Sequence, residues 1–426
     1  MTGQVHVPEA GSSPAPTRVV TDFSPAEHGF AFPNAFTNHH LTLPGGVSVA
    51  TAGRCGGMAW TALDYWGARA PVPPWRPSHF APSRVPPDGN WLADHLYSRL
   101  IDSFLSAGST FLSWTMHADH ATWVFKGVDR WTRQDEVPKL VAQLRAGRPA
   151  VLGLIRARTL ADVGQNHQVI GYGYELDPAS GRVTVLVHDN NTPGREVRLT
   201  AEHGQPGWTA SNGGTWRGFF VERHVPRPVR VLTRTPADPA RAVRTGDTVK
   251  LTHLWSGNTL HSHDRPYGHP GGSGEQQVTC FEEADDNDLW QVRPATRAGS
   301  RGSVGGGGPT GDDVPLRSGG VVRLRHRRTG RYLRSRAGFV SPVTGGQEVS
   351  CTGPATAGGS ADWRVEVEGG GAWSAVDRVR FVHVATGTAL HSRRGYAHLS
   401  WTSGQQEVSA RPGRDENDWW TVLELA

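Results

Sequence analysis

Ala389-Leu390-His391-Ser392, Gln405-Gln406-Glu407-Val408-Ser409 and Asn417-Asp418-Trp419-Trp420 decide the reading of the C-terminal half, because the same order of motifs occurs twice more upstream. The first copy runs His253, Thr259-Leu260-His261-Ser262, Gln276-Gln277-Val278-Thr279-Cys280 and Asn287-Asp288-Leu289-Trp290. The second runs His326, Tyr332-Leu333-Arg334-Ser335, Gln347-Glu348-Val349-Ser350-Cys351 and Ala361-Asp362-Trp363, and the third opens at His383. The spacing from His253 to His326 equals that from Leu260 to Leu333, and His326 to His383 equals Leu333 to Leu390. One repeat of about 50 residues with short alternating strands cannot bury its own apolar face, whereas three can share a core. The pattern therefore predicts a closed three-fold all-β unit over 245–426; a propeller is disfavoured because it needs at least four blades. The extra length between the first two copies, 295–320, holds Gly305-Gly306-Gly307-Gly308 and reads as a flexible insert without the Lys-Ser/Thr of a phosphate loop.

The repeats also sort the cysteines. Cys280 and Cys351 occupy equivalent positions, and the third copy has Ala410 there, so this is a small core position. The repeated histidines and Trp290, Trp363 and Trp420 read as barrel and turn framework. The whole pattern resembles the MIR domain, a module of protein O-mannosyltransferases and of inositol trisphosphate and ryanodine receptors. The resemblance covers about 245–426 and implies a β-trefoil that targets the chain to a glycan or glycoprotein ligand. The second repeat departs most: Arg334 stands where the others have His, and no Asn precedes Asp362.

The 426 residues are 37% hydrophobic and 19% charged, which excludes a solvating, disordered chain and fits two or three domains. The net charge of +5 comes almost wholly from scattered arginines, with lysine only at 126, 139 and 250, so nucleic-acid binding is not expected. No run approaches the ~20 apolar residues of a membrane helix. The polar N-terminus through about Asp22, with Pro8, Pro14 and Pro16, lacks the apolar centre of a secretory signal. The expectation is a disordered tail over 1–24 and a cytoplasmic setting, with release by a route without such a signal left open. Three cysteines do not make a disulfide framework, and no cofactor is expected.

The first half mixes helices and strands. Asn90 is placed to cap a helix with Leu92, Leu96, Leu100, Ile101 and Phe104 on one face, and Asp135 to cap another ending at Gly147. Strands are expected at 149–155, 167–174 and 183–187, the last two joined by Asp177-Pro178-Ala179-Ser180-Gly181. The Pro- and Arg-rich stretch 226–244 reads as a linker after a domain over 25–225.

Gly53-Arg54-Cys55-Gly56-Gly57-Met58 puts the remaining cysteine where a glycine-rich loop meets a helical pattern. A thiol there meets free backbone N–H groups and the positive end of the helix dipole, which in general favour the nucleophilic thiolate. His167 opens one expected strand and Asp189 ends the next, so the two side chains can meet across strands ~4.8 Å apart. Nucleophile, base and orienting acid would then follow one another in chain order. A metal site at His117, Asp119 and His120 is not expected, because the spacing is short and no second cluster is evident. Asp64 reads as a solvated or capping group.

Cys55-Gly56-Gly57-Met58, Asn166-His167-Gln168-Val169 and His188-Asp189-Asn190-Asn191 resemble the papain-like fold, and within it the bacterial C39-like peptidases, over about 30–221. Asn190 replaces a Pro of that pattern, and Val49 stands where a Gln that stabilises the oxyanion is usual. The resemblance implies a multidomain protein, α+β and papain-like in its N-terminal part with an all-β trefoil after it. It further implies a thiol-dependent cysteine peptidase acting on a peptide or protein substrate through Cys55, His167 and Asp189. The alternatives are another acyl-transfer enzyme of the same fold, deamidase or transglutaminase-like, and a catalytically inactive binding protein.

Overall fold

A computed structural model describes residues 16–37, 41–42, 48–49, 53–119, 126–295, 313–397 and 400–426, with side chains omitted over 41–52. The body of the insert, 296–312, and the first fifteen residues of the expected tail lie outside the described residues. The chain is predominantly β and falls into two compact units. One comprises 1–29, 37–63 and 99–227; the other comprises 30–36, 64–98 and 228–426. No helix among the described residues is long and apolar enough to cross a membrane.

The first unit is built on an eight-stranded antiparallel sheet. Its strands are β1 (Thr17–Val20), β2 (Ala150–Ile155), β3 (His167–Asp177), β4 (Arg182–His188), β5 (Glu196–Ala201), β6 (Trp208–Ala210), β7 (Thr215–Trp216) and β8 (Gly218–Val221). The order is β8-β2-β3-β4-β5-β6-β7, and β1 pairs with the far end of β3, Thr17 opposite Leu176. Residues 17–20 of the expected tail are thus a strand, because they supply the partner that β3 lacks beyond the end of β2. The longer helices among the described residues of this unit are α1 (Cys55–Gly67), α2 (Trp91–Met116) and α3 (Val137–Arg145), of which α1 and α2 run on into the second unit.

Leu140 and Leu144 of α3 pack with Leu152, Val169 and Val187 of the sheet, the burial expected of an amphipathic helix. Phe111 and Trp114 of α2 meet Phe220, with ring centroids 4.8 and 5.5 Å apart. Asn90 caps α2 as expected, its Oδ1 accepting from Leu92 N at 2.9 Å. Asp135 does not cap α3. A π-helical turn over Thr132–Glu136 precedes it, and Asp135 instead pairs with Lys126 at 3.0 Å. Asp64 is buried, not solvated.

The second unit contains twelve strands in three sets of four. They are β9 (Thr248–His253), β10 (Thr259–Pro266), β11 (Gln276–Phe281) and β12 (Trp290–Pro294); β13 (Val321–His326), β14 (Tyr332–Val340), β15 (Gln347–Thr352) and β16 (Trp363–Val367); β17 (Val379–His383), β18 (Ala389–Ala397), β19 (Gln406–Arg411) and β20 (Trp420–Leu425). The first and last strands of each set pair in the order β9-β12-β13-β16-β17-β20, and β20 returns to β9. That ring is a closed six-stranded barrel. The middle strands of each set form a hairpin, and β11, β15 and β19 pair with one another across the end of the barrel. A barrel capped by three hairpins is a β-trefoil, of the MIR type that the repeat motifs resemble.

The repeated motifs are its framework. Trp290, Trp363 and Trp420 are buried, and each indole N–H donates to the carbonyl 30 residues before it, of Leu260, Leu333 and Leu390, at 2.9, 3.0 and 3.1 Å. Nε2 of His253, His326 and His383 lies 3.0, 3.0 and 3.1 Å from a carbonyl oxygen of Asn417, Asn287 and Ser360. Cys280, Cys351 and Ala410 are fully buried in the common core, and burial pushes both thiols up to about 12. Within 226–244, Ala237 and Val243 also pack in this core.

Candidate functional site

Among the described residues, chemically capable side chains come together in each of the two units. In the first, Cys55 is the first residue of α1 and is partly exposed, while His167 at the start of β3 and Asp189 just after β4 are nearly covered. The β3–β4 register sets Ile170 opposite His188, which carries Asp189 alongside His167. The two meet as the strand order implies: His167 Nε2 lies 2.8 Å from Asp189 Oδ1. Cys55 and His167 line the same small cavity, and the thiol is close enough to raise the ring's affinity for a proton.

Burial opposes the charge on His167, but the hydrogen bond to Asp189 and the nearby Cys55 thiol outweigh it and hold the imidazolium up to about 10. Burial likewise opposes the Asp189 carboxylate, and the hydrogen bond from His167 overcomes it and brings the group down to about 2. Asn191 N at 2.8 Å and Asn212 Nδ2 at 2.8 Å complete the carboxylate's partners, and Asn190 Nδ2 donates to the Cys55 carbonyl at 3.2 Å. Gly56 allows the close approach of α1: a Cβ there would collide with Gln168 Oε1 and Ser103 Oγ.

The space at this cluster is small. The cavity bounded by Cys55 and His167 is about 40 Å³, walled by Leu100, Phe104, Phe111 and Val163. About 10–15 Å³ holds one water, so this space has room for a ligand of a few heavy atoms. Val49, at the position where an oxyanion-stabilising Gln is usual, falls where side chains lie outside the described residues. In the stretch His117-Ala118-Asp119-His120, Asp119 is paired with Arg158 and Arg217, and His120 lies outside the described residues.

The second place is in the trefoil, and the sequence reading missed it. His261 Nδ1 sits 2.9 Å from Asp288 Oδ1, and His391 Nδ1 sits 3.0 Å from Asp418 Oδ1. Asp285 and Asp415 complete two clusters of metal-compatible geometry. The carboxylates already serve the backbone, however. Asp288 accepts from Asp285 N at 2.6 Å and Asp285 from Asn287 N at 2.7 Å, and the third repeat does the same with Asp415 and Asp418. They are locks on a 3₁₀ turn.

In the second repeat the same three positions are Arg334, Gly358 and Ala361, so the lock is missing as a unit. There the surface opens into a cavity of about 500 Å³ bounded by Arg334, Ser335, Thr356, Gly358, Ser360 and Thr386, among others. Arg334 is 6% exposed; its Nε donates to Ser350 Oγ at 3.3 Å, and it lies 3.9 Å from Glu275. The departure at Arg334 was visible in the repeats, but its coupling to Gly358 and Ala361 needed the register of the turn.

No family model matches the chain. It is 38% identical over 183 residues to the stromal cell-derived factor 2-like protein of Arabidopsis thaliana, covering 42% of this chain and 77% of that protein. It is 37% identical over 223 residues to the human stromal cell-derived factor 2-like protein 1, covering 51% of this chain and 92% of that protein. Among solved structures, it is similar to the Arabidopsis thaliana SDF2-like protein at 33% identity and a TM-score of 0.38, over 44% of this chain and 97% of that one. It is also similar to the S. cerevisiae protein O-mannosyltransferase Pmt1-Pmt2 complex bound to the sugar donor, at 26% identity and a TM-score of 0.38, over 46% of this chain and 27% of that one.

These relatives overturn the expectation of a papain-like, C39-like cysteine peptidase: they are stromal cell-derived factor 2-like proteins, not peptidases. The papain-like α+β assignment of the N-terminal half, the assignment as an enzyme and the peptide substrate fall with it. The physical counterpart is the small space of about 40 Å³ beside Cys55 and His167. By its sequence, the chain belongs to the stromal cell-derived factor 2-like family.

Proposed function

We propose that this chain is a binding protein whose β-trefoil holds a glycan or a glycosylated protein in the cavity beside Arg334. The observation that carries the reading is the loss of all three lock residues in one repeat, with a cavity of about 500 Å³ in their place. That volume is in the usual range for a small-ligand site. Its boundary supplies the hydroxyls of Ser360, Thr356 and Thr386, a guanidinium, and the glycine backbone at 358–359. Such a mixture suits the many hydroxyls of a sugar. Arg334 is held by Ser350 and Glu275, so the site is set before a ligand arrives. Membership in the stromal cell-derived factor 2-like family supports binding over hydrolysis.

A glycan array probed with the full chain tests this. Binding is expected, weakened about tenfold or more by Arg334→Ala, which removes a charged hydrogen-bonding group, and abolished by Ser360→Trp, which fills the cavity. Glycan binding that survives both substitutions, or no glycan binding by the native chain, would overturn the reading.

A further inference from the structure

The cluster in the first unit has chemistry that glycan binding does not use. Three facts meet there. Cys55 is partly exposed and shares a cavity wall with His167, whereas the other two cysteines, Cys280 and Cys351, are fully buried in the trefoil core. His167 carries a proton held in place by Asp189 at 2.8 Å. The cavity in front of the sulfur is about 40 Å³, bounded by Leu100, Phe104, Phe111 and Val163 with the polar Asn166 and Gln168, which suits a molecule of a few heavy atoms.

We propose that Cys55 is a modification site: a thiol that a small hydroperoxide, hydrogen peroxide in the first instance, oxidises to the sulfenic acid with His167 as proton donor. The sulfur passes its proton to His167 and attacks one peroxide oxygen. An S–O bond forms as the O–O bond breaks, and the leaving hydroxide takes the His167 proton and departs as water. Sulfur loses two electrons and the peroxide gains them, so one peroxide and one thiol give one sulfenic acid and one water. Asp189 acts through His167 as a positioning residue, fixing which face of the ring the sulfur meets.

The two core cysteines are an internal control in the same chain. The experiment treats the reduced full-length protein with stoichiometric hydrogen peroxide, traps sulfenic acid with a cyclic 1,3-diketone, and locates the adduct by peptide mass analysis. The adduct is expected on Cys55, with Cys280 and Cys351 labelled only after denaturation. His167→Gln should slow labelling of Cys55 by about tenfold or more, the scale of a lost proton donor. Asp189→Asn gives a second reading should His167→Gln not fold, and should move the pH at which labelling is half-maximal. Labelling of Cys280 or Cys351 in the native chain at the Cys55 rate would overturn the proposal, as would an unchanged Cys55 rate in both variants. Neither result bears on the glycan array, which reads the other unit.

Discussion

Single residues in the first unit set its dependence on pH. His167 is held up to about 10 against an ordinary value of 6.5, so the folded chain binds this proton more tightly than the unfolded one. Its contribution to stability is full below about 6.5 and is lost as the pH rises to about 10. Asp189, brought down to about 2, contributes above its ordinary value of 3.8 and loses that as the pH falls through 2. Glu222 has the opposite sense for an acid. Burial holds it up to about 7 even though Trp60 Nε1 and Gln168 Nε2 donate to it at 3.0 and 2.7 Å. Stability should therefore fall between 4.5 and 7 on its account. Thermal unfolding across pH should show both losses, with Glu222→Gln removing the one below 7 and Asp189→Asn reducing the one from 7 to 10. A curve that is flat over both ranges would contradict these assignments. At Gly56, where a Cβ has no room, Gly56→Ala should cost about 1–3 kcal/mol of stability by denaturant unfolding.

Elements carry the three-fold logic. The hydrogen bonds of Trp290, Trp363 and Trp420 have the same spacing and nearly the same length, so Trp→Phe at each should cost about the same, roughly 1–2 kcal/mol for a lost buried hydrogen bond. Equilibrium unfolding of the three variants checks this, and one outlier would mean that the repeats are not equivalent in energy. The repeats were legible because strand alternation and turn residues are local properties. The cap at Asn90 was legible for the same reason. Asp135 misled because a charged residue before an apolar run looks like a cap, and its partner, Lys126, is set by the path of the preceding loop. Thr17–Val20 was taken for tail because nothing in four residues shows that β3 extends past β2.

On the scale of the whole molecule, closure of the trefoil is made by its ends. β9 and β20 pair along their length, Val249 opposite Leu425 to His253 opposite Trp420, and Thr248 and Ala426 exchange backbone hydrogen bonds of 2.9 Å. Truncation before Trp420 removes one of six barrel strands and leaves the edges of β9 and β17 bare. Loss of the cooperative unfolding transition of the trefoil, followed by near-ultraviolet circular dichroism, is the expected result; a native-like spectrum would show that five strands close the core.

Sequence alone determined the trefoil, since three spaced copies of His, Leu-His-Ser and Asp-Trp leave one economical way to share a core. It also brought Cys55, His167 and Asp189 together, because a helix start and two adjacent strands follow from local pattern. Their assembly did not make a peptidase. Only the tertiary structure decided what those residues can meet, because the volume at Cys55 is set by Leu100, Phe104, Phe111 and Val163, which come from two distant segments. The same holds at Arg334: its departure from the repeat is written in the chain, but the cavity beside it is bounded by Gly358 and Gly359, which supply no side chains, and by residues of a neighbouring strand and turn. Pattern fixes which residues are neighbours; packing fixes the space between them, and that space decides what each site can bind.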